Sequence, residues 1–284
     1  MPLTEIQDDK IYIDALVHSL QIGSNFTEIA LGYGHGNALR LFKDALNISI
    51  VPREDVFVTH SFYPRDFDDF KDIEHDAKEF YEVMDTDYAD SVLVTQSLIL
   101  RFGESKVYSW LHALLDNGNT RYVSLSNASP TWIRKFKDEF KEVFFAHEGH
   151  LSFEVRALQD KGVLSTCKEL GVENIIWRPL RRSATLQHNW PLLYELSTKY
   201  DKSQSQIILN WMIQSGLRPM VFSTNIDHID ENIDAVKFEM EATDYQRISD
   251  FRPGLTSELH IDWEGIGIDD DIVNLVMNSE RYTD

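Results

Sequence analysis

A tyrosine stands between glycines at the point where an apolar segment ends. The stretch FTEIALGYGHGN, residues 26–37, predicts a strand, then a Gly-Tyr-Gly turn, then the start of a helix. A phenol held in such a turn is accessible to small molecules, and its hydroxyl can donate a proton to a reacting oxygen. Its ordinary pKa of about 10 makes it a poor acid near neutrality unless a positive charge stabilises the phenolate. Tyr33 is therefore a candidate catalytic acid if the fold places a cation beside it.

Histidines provide a second group of candidates. His147 and His150, in the stretch HEGH, have a spacing that resembles a metal-binding pair. On a strand, however, residues three apart point to opposite faces, so we expect no metal site there. An alternative acid–base set combines Glu28, Tyr33 and His147 in one pocket. His60 lies within a predicted strand and should face away from the interior of the fold.

Two further features carry weaker signals. The basic run RPLRR, residues 178–182, follows a strand end where α/β barrels often bind phosphate, although loop arginines are more often solvated or paired with carboxylates. Cys167 is the only cysteine and lies in a helical pattern, which favours a buried apolar role over that of a nucleophile. A single cysteine allows no intrachain disulfide and favours a reducing compartment.

Composition narrows the classes of partner. The chain has 284 residues, of which 43% are hydrophobic and 12% aromatic, enough for a sizeable core. Its net charge of −20, from 47 acidic and 27 basic residues, disfavours binding to nucleic acid or to anionic lipid. The longest apolar runs are of strand length, so neither a signal peptide nor a membrane-spanning helix is expected. We expect a soluble cytoplasmic protein.

Short apolar runs rich in β-forming residues alternate with amphipathic helical patterns along the chain. Strands are predicted at residues 26–30, 55–61, 91–96, 121–127, 142–147, 174–179 and 218–224. Helices are predicted near residues 9–21, 37–47, 66–84, 105–116, 130–140, 158–170, 190–215 and 228–250. Continuous apolar runs are typical of strands that are buried on both faces, as in a parallel sheet.

This alternation predicts an α/β fold, either a (β/α)8 TIM barrel or an open doubly wound sheet. The barrel is favoured, and its first strand must then come from residues 1–7, which are short and weak for that purpose. No long Gly/Ser/Pro linker divides the chain, so one domain is expected over residues 1–284. Residues 253–284 have a short amphipathic pattern, and we expect this C-terminal tail to pack on the barrel.

Six motifs at predicted strand ends resemble those of one family, in the same order. They are TEIALGYG at 27–34, REDVFVTHS at 53–61, TDYADSVLVTQ at 86–96, GNTRYVSLSN at 118–127, IIWRPL at 175–180 and STNIDHIDEN at 223–232. The family is the aldo-keto reductases, NADPH-dependent (β/α)8 enzymes that reduce carbonyl groups to alcohols. The resemblance spans about residues 9–250 and implies the barrel fold.

The resemblance also implies a catalytic tetrad, which this chain matches at one position. In the family a Tyr donates the proton, a Lys oriented by an Asp lowers the pKa of that Tyr, and a His positions the carbonyl. These groups align with Tyr33, Ser61, Glu28 and Thr95. The cation and the imidazole are missing, and an ionised Glu28 would raise the pKa of Tyr33. Loss of general acid–base catalysis typically costs about 10²–10⁴-fold in rate.

The resemblance further implies where NAD(P)H would bind. Ser126 and Asn127 match the pair that binds the nicotinamide carboxamide, Trp177 replaces the ring that stacks on it, and His147 replaces a Gln. Groups around the adenosine match Ser223, Glu231 and Asn232. The Lys and Arg expected at a 2′-phosphate fall on Phe222 and His228, so we expect no preference for NADPH over NADH.

Two functional hypotheses follow from these residues. In the first, the chain is an aldo-keto reductase-like protein that has lost standard catalysis and acts as a binding, regulatory or scaffold protein. In the second, it is an NAD(P)H-dependent oxidoreductase whose rewired site uses Tyr33 with Glu28 or His147. The expected partner is a small-molecule ligand or another protein.

Overall fold

A parallel sheet forms the centre of the molecule. The computed structural model describes residues 9–252. In this range the sheet contains β1 (Phe26–Ala30), β2 (Phe57–Phe62), β3 (Ala89–Thr95), β4 (Thr120–Ser126), β5 (Phe144–His150), β6 (Glu173–Trp177) and β7 (Arg218–Pro219). The predicted strand at residues 1–7 and the predicted tail at 253–284 lie outside the described residues. The described part is thus an α/β fold with seven of the eight strands expected.

Helices connect successive strands, as parallel pairing requires. They are α1 (Asp9–Gln21), α2 (Ala38–Ser49), α3 (Phe70–Met84), α4 (Gln96–Phe102), α5 (Glu104–Asp116), α6 (Pro130–Phe140), α7 (Ala157–Asp160), α8 (Val163–Leu170), α9 (Ala184–Gln187), α10 (Pro191–Tyr200), α11 (Gln204–Gln214), α12 (Ile226–Asp234) and α13 (Ala242–Asp250). Within residues 9–252, none of these helices has the length and apolarity needed to cross a bilayer.

The strands pair in parallel in the order of the chain, from β1 to β7. Glu28 of β1 pairs with Thr59 of β2, and Ser126 of β4 pairs with Glu148 of β5. Paired residues of parallel strands project from the same face, as do alternate residues along one strand. One face of the sheet, here called the inner face, therefore carries Glu28, Thr59, Ser61, Ser91, Thr95, Ser126, Glu148, His150 and Trp177.

Two apolar layers hold the sheet. On the inner face, Phe57 packs against Phe26 and Phe145 with ring centroids 5.5 and 4.8 Å apart, which fills the end of the sheet where the strands begin. On the outer face, buried strand residues pack under the helices; they include Val58, Phe62, Val92, Val94 and Leu125. The aromatic filling restricts the polar inner-face residues to the carboxyl ends of the strands, where sites in α/β barrels are built.

The helix boundaries differ from the sequence prediction at three breaks. The pattern at 158–170 is divided by Gly162, whose φ is +78°, and the pattern at 190–215 is divided by Asp201, whose φ is +51°. A single left-handed residue ends a helix without interrupting the apolar periodicity, so the pattern does not reveal the break. The pattern at 228–250 likewise separates into α12 and α13, and α4 was not predicted.

The strand boundaries differ most at β5 and β7. The predicted strand at 142–147 runs instead from Phe144 to His150, because Lys141–Val143 form a short 3-10 turn. The added residues include Glu148 and His150, which are polar and lie on the inner face. A prediction based on apolar runs does not detect such residues as part of a strand. The predicted strand at 218–224 is reduced to Arg218–Pro219, followed by a hydrogen bond from the Met220 amide to the Ile176 carbonyl of 2.8 Å.

Candidate active site at the carboxyl ends of the strands

Tyr33 lies in a short 3-10 turn directly after β1, beside the inner face of the sheet. Gly34 and Gly36 of this turn have φ values of +60° and +84°, in the left-handed region that favours glycine. The half-buried Tyr33 hydroxyl lies 3.2 Å from Glu28 Oε1 and 3.2 Å from the Tyr63 hydroxyl. The flanking glycines thus allow the backbone to return the phenol to the end of its own strand.

Tyr63 follows β2 and completes a group that the sequence did not reveal. Its hydroxyl donates to Glu28 Oε1 at 2.7 Å, and its ring centroid lies 6.2 Å from that of Tyr33. Burial, followed by the negative charge of Glu28, raises the pKa of Tyr63 well above its usual value. Glu28 therefore accepts hydrogen bonds from phenols instead of orienting a lysine.

Glu148 of β5 brings a second carboxyl group to Glu28. It is 1% exposed, and its side chain is hydrogen-bonded to that of Glu28. Two carboxyl groups that are hydrogen-bonded to each other share a proton, because two ionised groups repel each other. Burial and the charge of Glu28 raise the pKa of Glu148 well above its usual range, so we assign the proton to Glu148. The pattern of strand alternation would have placed Glu148 inward had β5 been predicted to its full length.

The alternative acid–base set required His147 to lie beside Glu28 and Tyr33, and the structure separates His147 from them. His147 precedes Glu148 and projects from the opposite face of β5, where its Nε2 accepts a hydrogen bond from the Ala128 amide at 3.2 Å. Burial lowers the pKa of His147 to about 3, so the ring is neutral at physiological pH. Its proposed role in cofactor binding stays a prediction.

The other two positions aligned with the tetrad lie on the inner face but offer no charge. Ser61 is fully buried, and its Oγ has no hydrogen-bond partner among the described residues. Thr95 caps α4, since its Oγ1 accepts a hydrogen bond from the Leu98 amide at 2.9 Å and lies 2.8 Å from Ser97 Oγ. The Thr95 hydroxyl therefore has a structural task that a histidine would not perform.

Residues at the expected nicotinamide position contact one another. Trp177 donates from Nε1 to Asn127 Oδ1 at 3.2 Å, and its ring stacks on His150 with centroids 4.7 Å apart. The Arg178 guanidinium lies 5.5 Å from the centroid of the same ring. Burial, then the charges of two arginines, lowers the pKa of His150 to about 3. Ser126 is fully buried nearby on β4, and its Oγ has no hydrogen-bond partner in the described range.

A separate cleft of about 360 Å³ brings together the residues expected around adenosine. Ser223, Glu231 and Asn232 line it, as the resemblance predicts, together with Leu180, Ser183, Leu186, Ser203, Gln204, Ser205, Phe222 and His228. Phe222 is 42% exposed and stacks on Tyr12 at 6.2 Å. The Ser223 hydroxyl accepts a hydrogen bond from the Asn225 amide at 3.0 Å. The cleft therefore has hydroxyls and an apolar wall, with an aromatic ring where the family has a cation.

The basic run after β6 is held by a buried carboxylate. Glu154 is 1% exposed and pairs with Arg181 and with His188. It also accepts hydrogen bonds from Trp190 Nε1 at 2.7 Å and from Thr185 Oγ1 at 3.0 Å. Although burial disfavours its charged form, the donated hydrogen bonds lower the pKa of Glu154. Arg181 therefore forms an ion pair inside the protein. This favours a salt-bridged role for the run at residues 178–182 over an anion-binding role.

Two other candidates lie outside the site. His60 faces away from the inner face, as strand alternation predicts, and its Nε2 lies 3.1 Å from Asp76 Oδ2 of α3. Cys167 is fully buried, and burial raises the pKa of its thiol to about 12, as expected for a structural residue. His147 and His150 project from opposite faces of β5, the arrangement that strand alternation predicts for two residues three apart.

Comparisons with known proteins identify the family of the chain. A family model described as the Aldo/keto reductase family matches residues 4–252. The uncharacterized oxidoreductase YtbE of Bacillus subtilis (strain 168) is 24% identical over 253 residues, covering 86% of this chain and 85% of that protein. Glyoxal reductase of the same organism is 25% identical over 248 residues, covering 82% and 85%.

Solved structures show the same fold at low identity. A thermostable aldo-keto reductase has a TM-score of 0.77 and 20% identity, covering 86% of this chain and 88% of that one. A Bombyx mori aldo-keto reductase solved in complex with NADP has a TM-score of 0.74 and 18% identity, covering 93% and 91%. These neighbours share the α/β fold of the chain.

Proposed function

The chain belongs to the Aldo/keto reductase family, and from this premise we propose that it has lost standard carbonyl reduction and acts as a binding protein. Its function is then to hold a small molecule at the carboxyl ends of the strands and to present the occupied state to a protein partner. We place it in the cytoplasm, and we propose that its sheet closes into a (β/α)8 barrel.

One observation carries this proposal: an anionic group takes the place of a cationic one beside the phenol. Tyr33 and Tyr63 both contact Glu28, and the pKa of Tyr63 is raised. A phenol donates a proton to an alkoxide only if the phenolate that remains is stabilised. A carboxylate within hydrogen-bonding distance destabilises that phenolate, which is the reverse of what a lysine does. The site therefore opposes the step for which the family uses it.

The residues fit one end of a dinucleotide better than the other. The cleft lined by Ser223 and Asn232 suits an adenosine, and Phe222 suits an unphosphorylated ribose. At the other end, Asn127 is bonded to Trp177, and His150 covers part of the ring that would stack on nicotinamide. The nicotinamide end does not fit. We propose adenine-nucleotide binding without preference for NADPH over NADH.

Cofactor binding and turnover test this proposal together. Quenching of tryptophan fluorescence on titration with NADH and with NADPH should give equal affinities, because Phe222 offers a 2′-phosphate no charge, and absence of binding would contradict the nucleotide proposal. NAD(P)H oxidation with simple aldehydes should stay at background. Clearly tighter binding of NADPH would contradict the nucleotide proposal. Turnover that disappears in Tyr33→Phe would contradict the non-catalytic one.

Restoring the missing charge is the sharper experiment. Ser61→Lys with Glu28→Asp places an ammonium on the inner face beside a shorter carboxylate, and Thr95→His completes the tetrad. Recovery of turnover by a part of the 10²–10⁴-fold that acid–base catalysis typically contributes is expected, provided that cofactor binds to the variant. Because Thr95 caps α4, the double variant without Thr95→His separates loss of stability from failure of chemistry.

The rewired oxidoreductase remains the second candidate, favoured by one observation. Glu148 is hydrogen-bonded to Glu28, which also contacts Tyr33, and a carboxylic acid of raised pKa is a competent general acid near neutrality. This candidate requires wild-type carbonyl reduction that falls by about 10²-fold or more in Glu148→Gln. Background activity in both proteins would exclude it.

A further inference from the structure

We propose that the group formed by Glu28, Glu148, Tyr33 and Tyr63 binds an organic primary ammonium ion. This inference rests on the proposed binding function and names the chemical class of its ligand. The site has two carboxyl groups and two phenols at one point, at the strand ends where Glu28, Tyr33 and Tyr63 are each partly exposed. An ammonium ion can therefore approach from solvent without crossing the aromatic filling below.

The described basic side chains do not neutralise these carboxyl groups. Within the described part of the chain, no basic side chain forms an ion pair with Glu28 or Glu148, and Arg181 is paired with Glu154. Buried carboxylates are ordinarily paired or bound to a cation. The net charge of −20 adds a long-range attraction for cations. A cationic ligand supplies a partner that the basic side chains of residues 9–252 do not.

Unsatisfied acceptors in the site point to a donor-rich ligand. Glu148 Oε2 and Ser61 Oγ are buried on the inner face, and neither has a hydrogen-bond partner among the described residues. A primary ammonium group has three N–H donors, which match Glu28, Glu148 and one hydroxyl. The rings of Tyr33 and Tyr63 offer faces that attract a cation. A quaternary ammonium ion has no N–H and would leave the buried acceptors unsatisfied.

Binding must release the proton shared by the two carboxyl groups. The titratable groups that act on Glu148 are Glu28 of β1 and the N-terminal amino group, and Glu148 in turn acts on Tyr63. Its neighbours in register on β4 and β6 are Ser126 and Ile175. The ammonium ion favours ionised Glu148, so affinity should rise with pH until Glu148 is deprotonated in the free protein. Alkyl ammonium ions, with pKa values near that of lysine at about 10.4, stay charged through pH 9.

Calorimetric titration of the full chain with n-butylammonium chloride tests the proposal. Butan-1-ol and tetramethylammonium chloride serve as ligands that lack the charge or the donors. We expect n-butylammonium to bind more tightly at pH 9 than at pH 7. Because protons are released, the measured enthalpy of binding should vary with the ionisation enthalpy of the buffer. Equal affinity for either control ligand, or no binding of n-butylammonium, would overturn the proposal.

Variants assign the binding to the carboxyl pair. Glu148→Gln should weaken n-butylammonium binding by about 10- to 100-fold, the worth of a hydrogen bond to a charged group, and abolish the pH dependence. Glu28→Gln is a second variant for the case that Glu148→Gln does not fold. Glu142→Gln, the same substitution at a side chain that is 95% exposed, is the matched control and should bind as wild type.

Unchanged binding in Glu148→Gln and in Glu28→Gln would place the ligand elsewhere and overturn the assignment. Aldehyde reduction measured on the same preparation separates this failure from failure of the proposed function. Aldehyde reduction would contradict the proposed loss of catalysis, and the titration with n-butylammonium could still be interpreted. A protein that neither reduces aldehydes nor binds n-butylammonium would contradict only the proposed class of ligand.

Discussion

Glu148→Gln should make the stability of the protein less sensitive to pH and should stabilise it near neutrality. Glutamine keeps the volume of the side chain, and its amide can still donate a hydrogen bond to Glu28. What the substitution removes is the cost of ionising a carboxyl group that is 1% exposed and lies beside another. The wild-type protein avoids that cost by keeping Glu148 protonated, and it therefore holds a proton that the unfolded chain releases.

The sign and size of the effect follow from this proton. The pKa of Glu148 is raised in the folded state, whereas the unfolded value is about 4.3. The contribution of Glu148 to the free energy of unfolding is therefore fully present at low pH. It is lost as pH rises from about 4.3 towards the folded pKa. One proton gives a slope of up to about 1.4 kcal/mol per pH unit, or up to about 2.7 kcal/mol between pH 5 and pH 7.

Urea unfolding followed by circular dichroism at several pH values measures the difference between the two proteins. His147 and His150, whose pKa values are lowered to about 3, raise stability as pH increases to about 6.5. Their contributions are the same in the wild-type protein and in Glu148→Gln, so they cancel when the two stabilities are subtracted. The advantage of Glu148→Gln should grow steadily with pH. A stability gap that is the same at every pH would refute the assignment of the shared proton to Glu148.

Three further predictions concern the elements that support the site. Thr95→Ala should lower the free energy of unfolding by about 1 kcal/mol through loss of the cap on α4, and Thr95→Ser should recover most of it in urea titrations. Glu154→Gln should destabilise the protein by roughly 3 kcal/mol, because it leaves the partly buried Arg181 without its carboxylate. Faster proteolysis within residues 178–190 would locate that effect, and unchanged cleavage would speak against it. Cys167 should react with a thiol reagent at the rate of global unfolding, since its thiol is buried with a pKa of about 12; rapid reaction in the native protein would contradict this.

The sequence by itself determined the fold class and the position of Tyr33. β1 and α1 were predicted with their observed boundaries, and the other described strands within a few residues, except for the polar end of β5 and the short β7. Apolar periodicity and turn residues are local properties of the chain, so they can be read without knowing its neighbours. The absence of a lysine at Ser61 and of a histidine at Thr95 is likewise visible in the sequence alone.

Only the tertiary structure decided what replaces those groups. Tyr63 directly follows β2 and Glu148 lies on β5, both far from Glu28 in the chain. They meet Glu28 because parallel register and alternation place all three on the inner side of the sheet. His147, one residue away from Glu148, is directed outward by the same alternation. Whether a carboxyl group is ionised depends on burial and on the charges around it, and both are properties of the folded molecule.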